Sequence, residues 1–147
     1  TPTMFNCDLK FTHIMSNAHL QPELIEFVKE KGHAGIIIHG MGLGHLPIED
    51  PLGNSPENLI LAKSIKDYVD SGGIALMVGQ CINGPINLDV YSKGRNQQDL
   101  GIIGHQSTTP PDTASVKLHW VLSNKPNDVD SLISSNLCGE NQQTLDF

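Results

Sequence analysis

The stretch Ala34-Gly35-Ile36-Ile37-Ile38-His39-Gly40-Met41-Gly42-Leu43-Gly44-His45 decides the fold. Its first half is a short, continuously apolar run, typical of a parallel strand covered on both faces. Its second half has a glycine at every second position, which lets the backbone turn sharply and approach other groups closely. A buried parallel strand needs neighbours of its own kind, and the chain supplies two. Upstream, Leu9 to Met15 alternates apolar and polar side chains, the pattern of a strand with one less buried face. Downstream, Ile74-Ala75-Leu76-Met77-Val78 is a second fully apolar run.

Helical patterns separate these strands. Pro22 opens the first helix where a missing N–H costs nothing. Its apolar face is Leu24, Ile25, Phe27 and Val28, and Gly32 closes it after Lys29 and Lys31. Ser55 and Pro56 open the second, which carries Leu59, Leu61, Ala62, Ile65, Tyr68 and Val69 up to Gly72-Gly73. Residues 79–112 are polar and irregular, with a short extended piece expected over Ile86–Tyr91. A helix starting at Asp112 or Thr113 follows, with Val116, Leu118, Trp120, Val121 and Leu122 on its apolar side. A last helix, capped by Asn127, carries Val129, Leu132, Ile133 and Leu137 until Gly139. The order β-α-β-α-β-α-α predicts an α/β fold: a small parallel sheet with right-handed crossovers and helices on both faces. One domain is expected over 1–147, with a core of 9–140 and a loosely held tail at 141–147.

The composition narrows the partners. Of 147 residues, 38% are apolar and only 17% charged, and the net charge is -7. Nine scattered basic residues make no cluster that would release counterions from a nucleic acid, so no direct nucleic-acid binding is expected. No apolar run approaches the roughly 20 residues that span a bilayer, and the start lacks a basic region followed by an apolar one. No membrane association is expected. Cys7, Cys81 and Cys138 have no metal-type spacing, and read as small buried hydrophobes in a reducing compartment.

Ligands in open α/β sheets bind at the carboxyl ends of the strands. Two long loops leave those ends, 39–54 and 79–112, and their length points to function. The glycines of the first are not spaced as G-x-G-x-x-G and do not lead straight into a helix, which argues against a dinucleotide. His39 and His45 are open to two readings, metal ligand or loop residue satisfied by backbone, and no third ligand stands at a recognisable spacing. Gln80, just past a buried strand, either hydrogen-bonds a small polar ligand or ties down its own loop. Cys81 has no basic neighbour to activate it. Tyr91, Lys93 and Arg95 either hold a carboxylate or solvate a loop. Lys117 is expected on a solvated helix face, and Trp120 in the core or an interface. No Gly-x-Ser-x-Gly, no His-Glu-x-x-His and no paired carboxylates occur in a strand-end loop. Thr1 as an N-terminal nucleophile is disfavoured by Pro2.

Taken together, the segment Ala34–His45, the run Gln80-Cys81-x-x-Gly84-x-x-Asn87-x-x-x-Tyr91-x-x-Gly94-Arg95, Leu100-Gly-Ile-Ile-Gly104, Val116-Lys-Leu-His-Trp-Val-Leu122 and Asn136-Leu-Cys-Gly-Glu140 resemble the C-terminal domain of the L-asparaginase/glutaminase family. The resemblance covers roughly residues 9–140. Within the family it is strongest to the glutaminase branch that serves archaeal Glu-tRNA(Gln) amidotransferases, with cytoplasmic type I asparaginases second. It implies a flavodoxin-like three-layer sandwich, a cytoplasmic location and a homo-oligomer, with no cofactor and no metal. It also implies that the nucleophilic threonines of amide hydrolysis belong to a separate N-terminal domain, whose Thr-Gly-Gly-Thr signature is not in this chain. The isolated chain is therefore expected to be inactive. In a parent enzyme the substrate would be Gln or Asn, and a transamidase subunit would be a possible partner. Gly42, Gly44, His45, Gln80, Tyr91 and Arg95 are the resulting substrate-binding or dimer-loop candidates. His45 stands where periplasmic relatives carry a substrate-contacting Asn. The chain departs from the cytoplasmic pattern at Met41, Gly79, Pro85 and Ser107–Pro111, all in loops. A stand-alone binding or assembly module is the alternative of another class.

Overall fold

The computed structural model describes residues 4–81 and 84–142. Strands β1 (Phe11–Met15), β2 (Gly35–Gly40) and β3 (Ile74–Gly79) form a parallel sheet in the order β1-β2-β3. Phe11 lies beside Gly35, and Gly35 beside Ile74. At the β3 edge, Ile103 N–H donates to the Ala75 carbonyl (2.9 Å) and accepts from Met77 N–H through its own carbonyl (2.8 Å). The helices are α1 (Pro22–Glu30), α2 (Pro56–Asp70), α3 (Ser92–Asp99), α4 (Pro111–Asn124) and α5 (Val129–Ser134), with a 3-10 turn at Pro126–Asp128.

The two-residue period of a strand divides its side chains between two cores. Ile36, Ile38, Ala75 and Met77 face one way, into a core with Ile25 and Val28 of α1 and Leu61, Ile65 and Tyr68 of α2. Ile37, Leu76 and Val78 face the other way, against Ala114, Leu118 and Val121 of α4 and Val129 and Ile133 of α5. Each buried Ile, Leu, Val or Met among them contributes about 1.5–3 kcal/mol. Two right-handed crossovers in an unreversed strand order put both connecting helices on one face. That is where α1 and α2 pack, and α4 and α5 supply the third layer. The architecture is the flavodoxin-like three-layer α/β sandwich expected from the sequence.

Several local expectations fail for physical reasons. The polar stretch 79–112 contains α3, whose sequence Ser-Lys-Gly-Arg-Asn-Gln-Gln-Asp offers no apolar stripe; its buried face is Gly94 and Gln97. The expected extended piece at Ile86–Tyr91 is not a strand, although Ile86 exchanges backbone hydrogen bonds with Gln106 and Ser107. The last helix stops at Ser134 rather than Gly139, because Ser135 is extended. The free N–H groups of Leu137 and Cys138 beyond it bond to the Glu140 carboxylate. Asn127 lies in the 3-10 turn, and Asp128 takes the N-cap position of α5. Ser55 does precede α2, but its hydroxyl makes no capping bond. All three cysteines are exposed rather than buried. Asn141 is also buried and bonded, so the segment 141–142 is held. Thr1 and residues 143–147 lie outside the described residues.

Candidate functional site

Two neighbourhoods gather the residues that the sequence singled out. The first is the glycine loop. Residues 41–45 close on themselves, with Met41 N–H donating to the His45 carbonyl (3.0 Å) and His45 N–H to the Met41 carbonyl (2.8 Å). A Cβ on Gly40 would fall 2.6 Å from the Gly44 backbone, and Gly44 has φ +105°. Only glycine fits that approach and that dihedral. Three elements hold the loop. The Ser16 hydroxyl donates to the His45 carbonyl (2.9 Å), and Asn87 N–H donates to the Leu43 carbonyl (2.9 Å). From α3, the Gln97 amide accepts from Leu46 N–H (2.7 Å) and donates to the Gly44 carbonyl (2.7 Å).

The His45 ring is half-buried and meets the edge of Tyr91 at 5.4 Å between ring centres. Its Nε2 is buried and has no hydrogen-bond partner among the described residues. Burial, then the Lys93 ammonium, pushes this imidazole below its ordinary range, against the Met41 backbone and Glu49. The shift favours the neutral imidazole, whose buried Nε2 is left unpaired among the described residues. With Glu49, Tyr91, Ser92 and Lys93 it lines a cavity of about 420 Å³. Arg95 points elsewhere: its guanidinium donates to the Asp89 carbonyl (2.9 Å). Gly42, at φ +54°, is exposed and touches nothing in a way that restricts it.

The second neighbourhood lies at the carboxyl ends of the strands. Gln80 donates through Nε2 to the carbonyls of Ser16 and His39, both at 2.7 Å. These bonds staple the end of β1 to the end of β2, while the same side chain also lines the cavity at the strand ends. His13 Nδ1 and His39 Nε2 are 2.8 Å apart, one ring donating to the other. Burial, then His13, pushes His39 below its ordinary range, and Asp112 partly opposes them. Met15, His39, Gln80, Cys81, Thr108 and Thr109 line a cavity of about 480 Å³ beside the start of α4. Among the described residues, no three His, Cys, Asp or Glu side chains are grouped to hold a metal.

Two polar groups escape sequence reading. Gln97 is fully buried on a helix with no apolar pattern, and only its spacing of three from Gly94 hints at an inward face. Lys117, expected on a solvated face, is buried and paired with Glu140 at 2.6 Å, its ammonium also donating to the Ile133 carbonyl (3.0 Å). It is the adjacent Leu118 and Val121 that reveal which side of α4 faces the core. Trp120 is half-buried against the same core.

Known proteins resemble this chain in sequence and in fold. The family described as Glutaminase/Asparaginase C-terminal domain matches residues 13–132. A Glutamyl-tRNA(Gln) amidotransferase subunit of Pyrococcus furiosus is 38% identical over 123 residues, covering 82% of this chain and 25% of that protein. Its counterpart in Methanobrevibacter smithii is 38% identical over 122 residues, covering 80% of this chain and 25% of its own length. This chain thus spans about a quarter of the curated relatives it matches. The crystal structure of L-asparaginase I from Vibrio cholerae superposes with a TM-score of 0.76 at 24% identity, over 91% of this chain and 38% of that one, a likeness of fold. With more than half its length matched, the chain belongs to the glutaminase/asparaginase C-terminal domain family.

Proposed function

We propose that this chain acts as the C-terminal domain of an asparaginase-like amidohydrolase, in an assembly of the Glutamyl-tRNA(Gln) amidotransferase kind. In that role it supplies assembly contacts and loop residues to a site whose nucleophile lies in another part of the parent protein. The observation that carries this reading is the glycine loop. It is fixed by bonds from three separate segments, yet it holds an imidazole whose buried Nε2 is unpaired among the described residues. A loop built that firmly around an unused ring nitrogen suits a site completed from outside the domain. Exposed Met41 and Tyr91 beside it suit a surface that another protein chain covers.

The tRNA-linked branch is preferred over type I asparaginase because the amidotransferase sequences reach 38% identity. On this reading the protein is cytoplasmic and forms a homo-oligomer. The parent's substrate is Gln or Asn, and a transamidase partner receives the ammonia. The acidic balance of -7 leaves tRNA contact to other parts.

Ammonia release from L-glutamine and L-asparagine by the purified chain tests the proposal. The expected result is no turnover above buffer. Turnover that co-purifies with the chain through orthogonal steps would overturn it.

A further inference from the structure

The glycine loop is held by a helix that has no apolar reason to be there. Helix α3 approaches the rest of the fold through Gly94, where a Cβ would stand 2.2 Å from the Leu88 carbonyl oxygen. That close approach brings the same face, one turn later, into the interior, and the residue there is Gln97. Gly94 and Gln97 are spaced by three and share one side of the helix, and Tyr91 is the extended residue just before it. Tyr91 meets the His45 ring. Gln97 meets the main chain on both sides of His45, at the Gly44 carbonyl and the Leu46 N–H. Both ends of its amide are used, and the side chain is completely buried.

We propose that Gln97 is the positioning residue of this loop: by bonding the backbone before and after His45, it sets where the imidazole stands. A glutamine does this where an apolar residue would not. Two main-chain groups with opposite demands, one donor and one acceptor, flank His45, and a primary amide satisfies both from one side chain. A leucine or methionine at 97 would fill the space and leave both groups buried without partners. The loop would then have to open toward water to satisfy them, and the imidazole would move with it. This inference rests on the proposal that His45 faces a ligand only for its functional consequence. The geometry at Gln97 is independent of that reading.

The test is NMR on the chain with Gln97→Met and Gln97→Glu, following the His45 ring titration and the exchange of the Leu46 amide. In Gln97→Met the Leu46 N–H is expected to exchange at least about tenfold faster relative to core-strand amides. The His45 midpoint should rise toward the ordinary imidazole value, while the amides of the core strands keep their protection. Gln97→Glu keeps the acceptor for Leu46 N–H and loses the donor to the Gly44 carbonyl at neutral pH. It should therefore shift His45 while leaving Leu46 better protected than in Gln97→Met. An unchanged His45 titration in either folded variant would overturn the positioning role, as would a uniform loss of protection across all amides in both. The functional reading is tested separately by His45→Ala in an active assembly. Its failure there, beside a shifted His45 in Gln97→Met, would leave Gln97 as the positioning residue of a loop with another use.

Discussion

Two buried polar clamps do similar mechanical work with different chemistry. Gln97 holds the glycine loop through a neutral amide, with both hydrogen-bonding ends satisfied by main chain. Lys117 and Glu140 hold the segment after α5 through an ion pair. Lys117 also donates to the Ile133 carbonyl, and Glu140 accepts from the N–H groups of Leu137 and Cys138. A neutral clamp is insensitive to pH and keeps a ring in place. A charged clamp is costly to desolvate, so each partner depends on the other. The loop carrying the site candidates thus rests on the quieter of the two.

Breaking the charged clamp gives the largest expected effect. Lys117→Met leaves a buried carboxylate without its cation and should lower stability by about 3–5 kcal/mol in urea denaturation. The double change Lys117→Met with Glu140→Gln should recover part of that loss, which separates the orphaned charge from lost packing. The same pair predicts a pH signature. Burial pushes the Glu140 carboxyl up, but Lys117 and the N–H groups of Cys138 and Leu137 outweigh it and hold it well below its ordinary 4.5. The folded chain then binds a proton less readily than the unfolded one. Its contribution is whole above the carboxylate range and drains away as pH falls. Between roughly pH 6 and pH 3 the wild type should lose more stability than Glu140→Gln. Equal slopes would remove Glu140 from the account.

The neutral clamp is next. Gly94→Ala forces a methyl against the Leu88 backbone, and should cost about 1–3 kcal/mol by pushing α3 outward. If the coupling between α3 and the loop is real, His45 should shift in this variant too, though Gln97 itself is intact. Smallest of all is Asp70→Asn at the exposed i, i+4 pair with Lys66. It should change stability by less than about 0.5 kcal/mol, which sets the baseline for charge removal outside a clamp.

These clamps also mark the limit of what was legible in the sequence. The strands and α1 and α2 announce themselves because Ile36 to Ile38, Ile74 to Val78 and Leu61, Ile65 and Tyr68 bury apolar surface at the spacing of their element. The glycine loop is visible because Gly40 and Gly44 are needed where backbones nearly touch. Helix α3 is silent because its inward residues are a glycine and an amide, which periodicity scores as polar. Lys117 misleads for the same reason, since its burial depends on Glu140, distant in sequence and close only in the fold. Gln80 was legible as important, but its job as a staple between β1 and β2 needed the carbonyls of Ser16 and His39 in place.

The most direct measurement of the central claim is amide hydrolysis by a chimera. Residues 9–142 would replace the matching quarter of the Pyrococcus furiosus amidotransferase protein, and ammonia release from glutamine and asparagine would be compared with the parent. Turnover within about tenfold of the parent is expected, roughly 1.4 kcal/mol of barrier, with His45→Ala raising KM. A chimera that folds and assembles but releases no ammonia would contradict it.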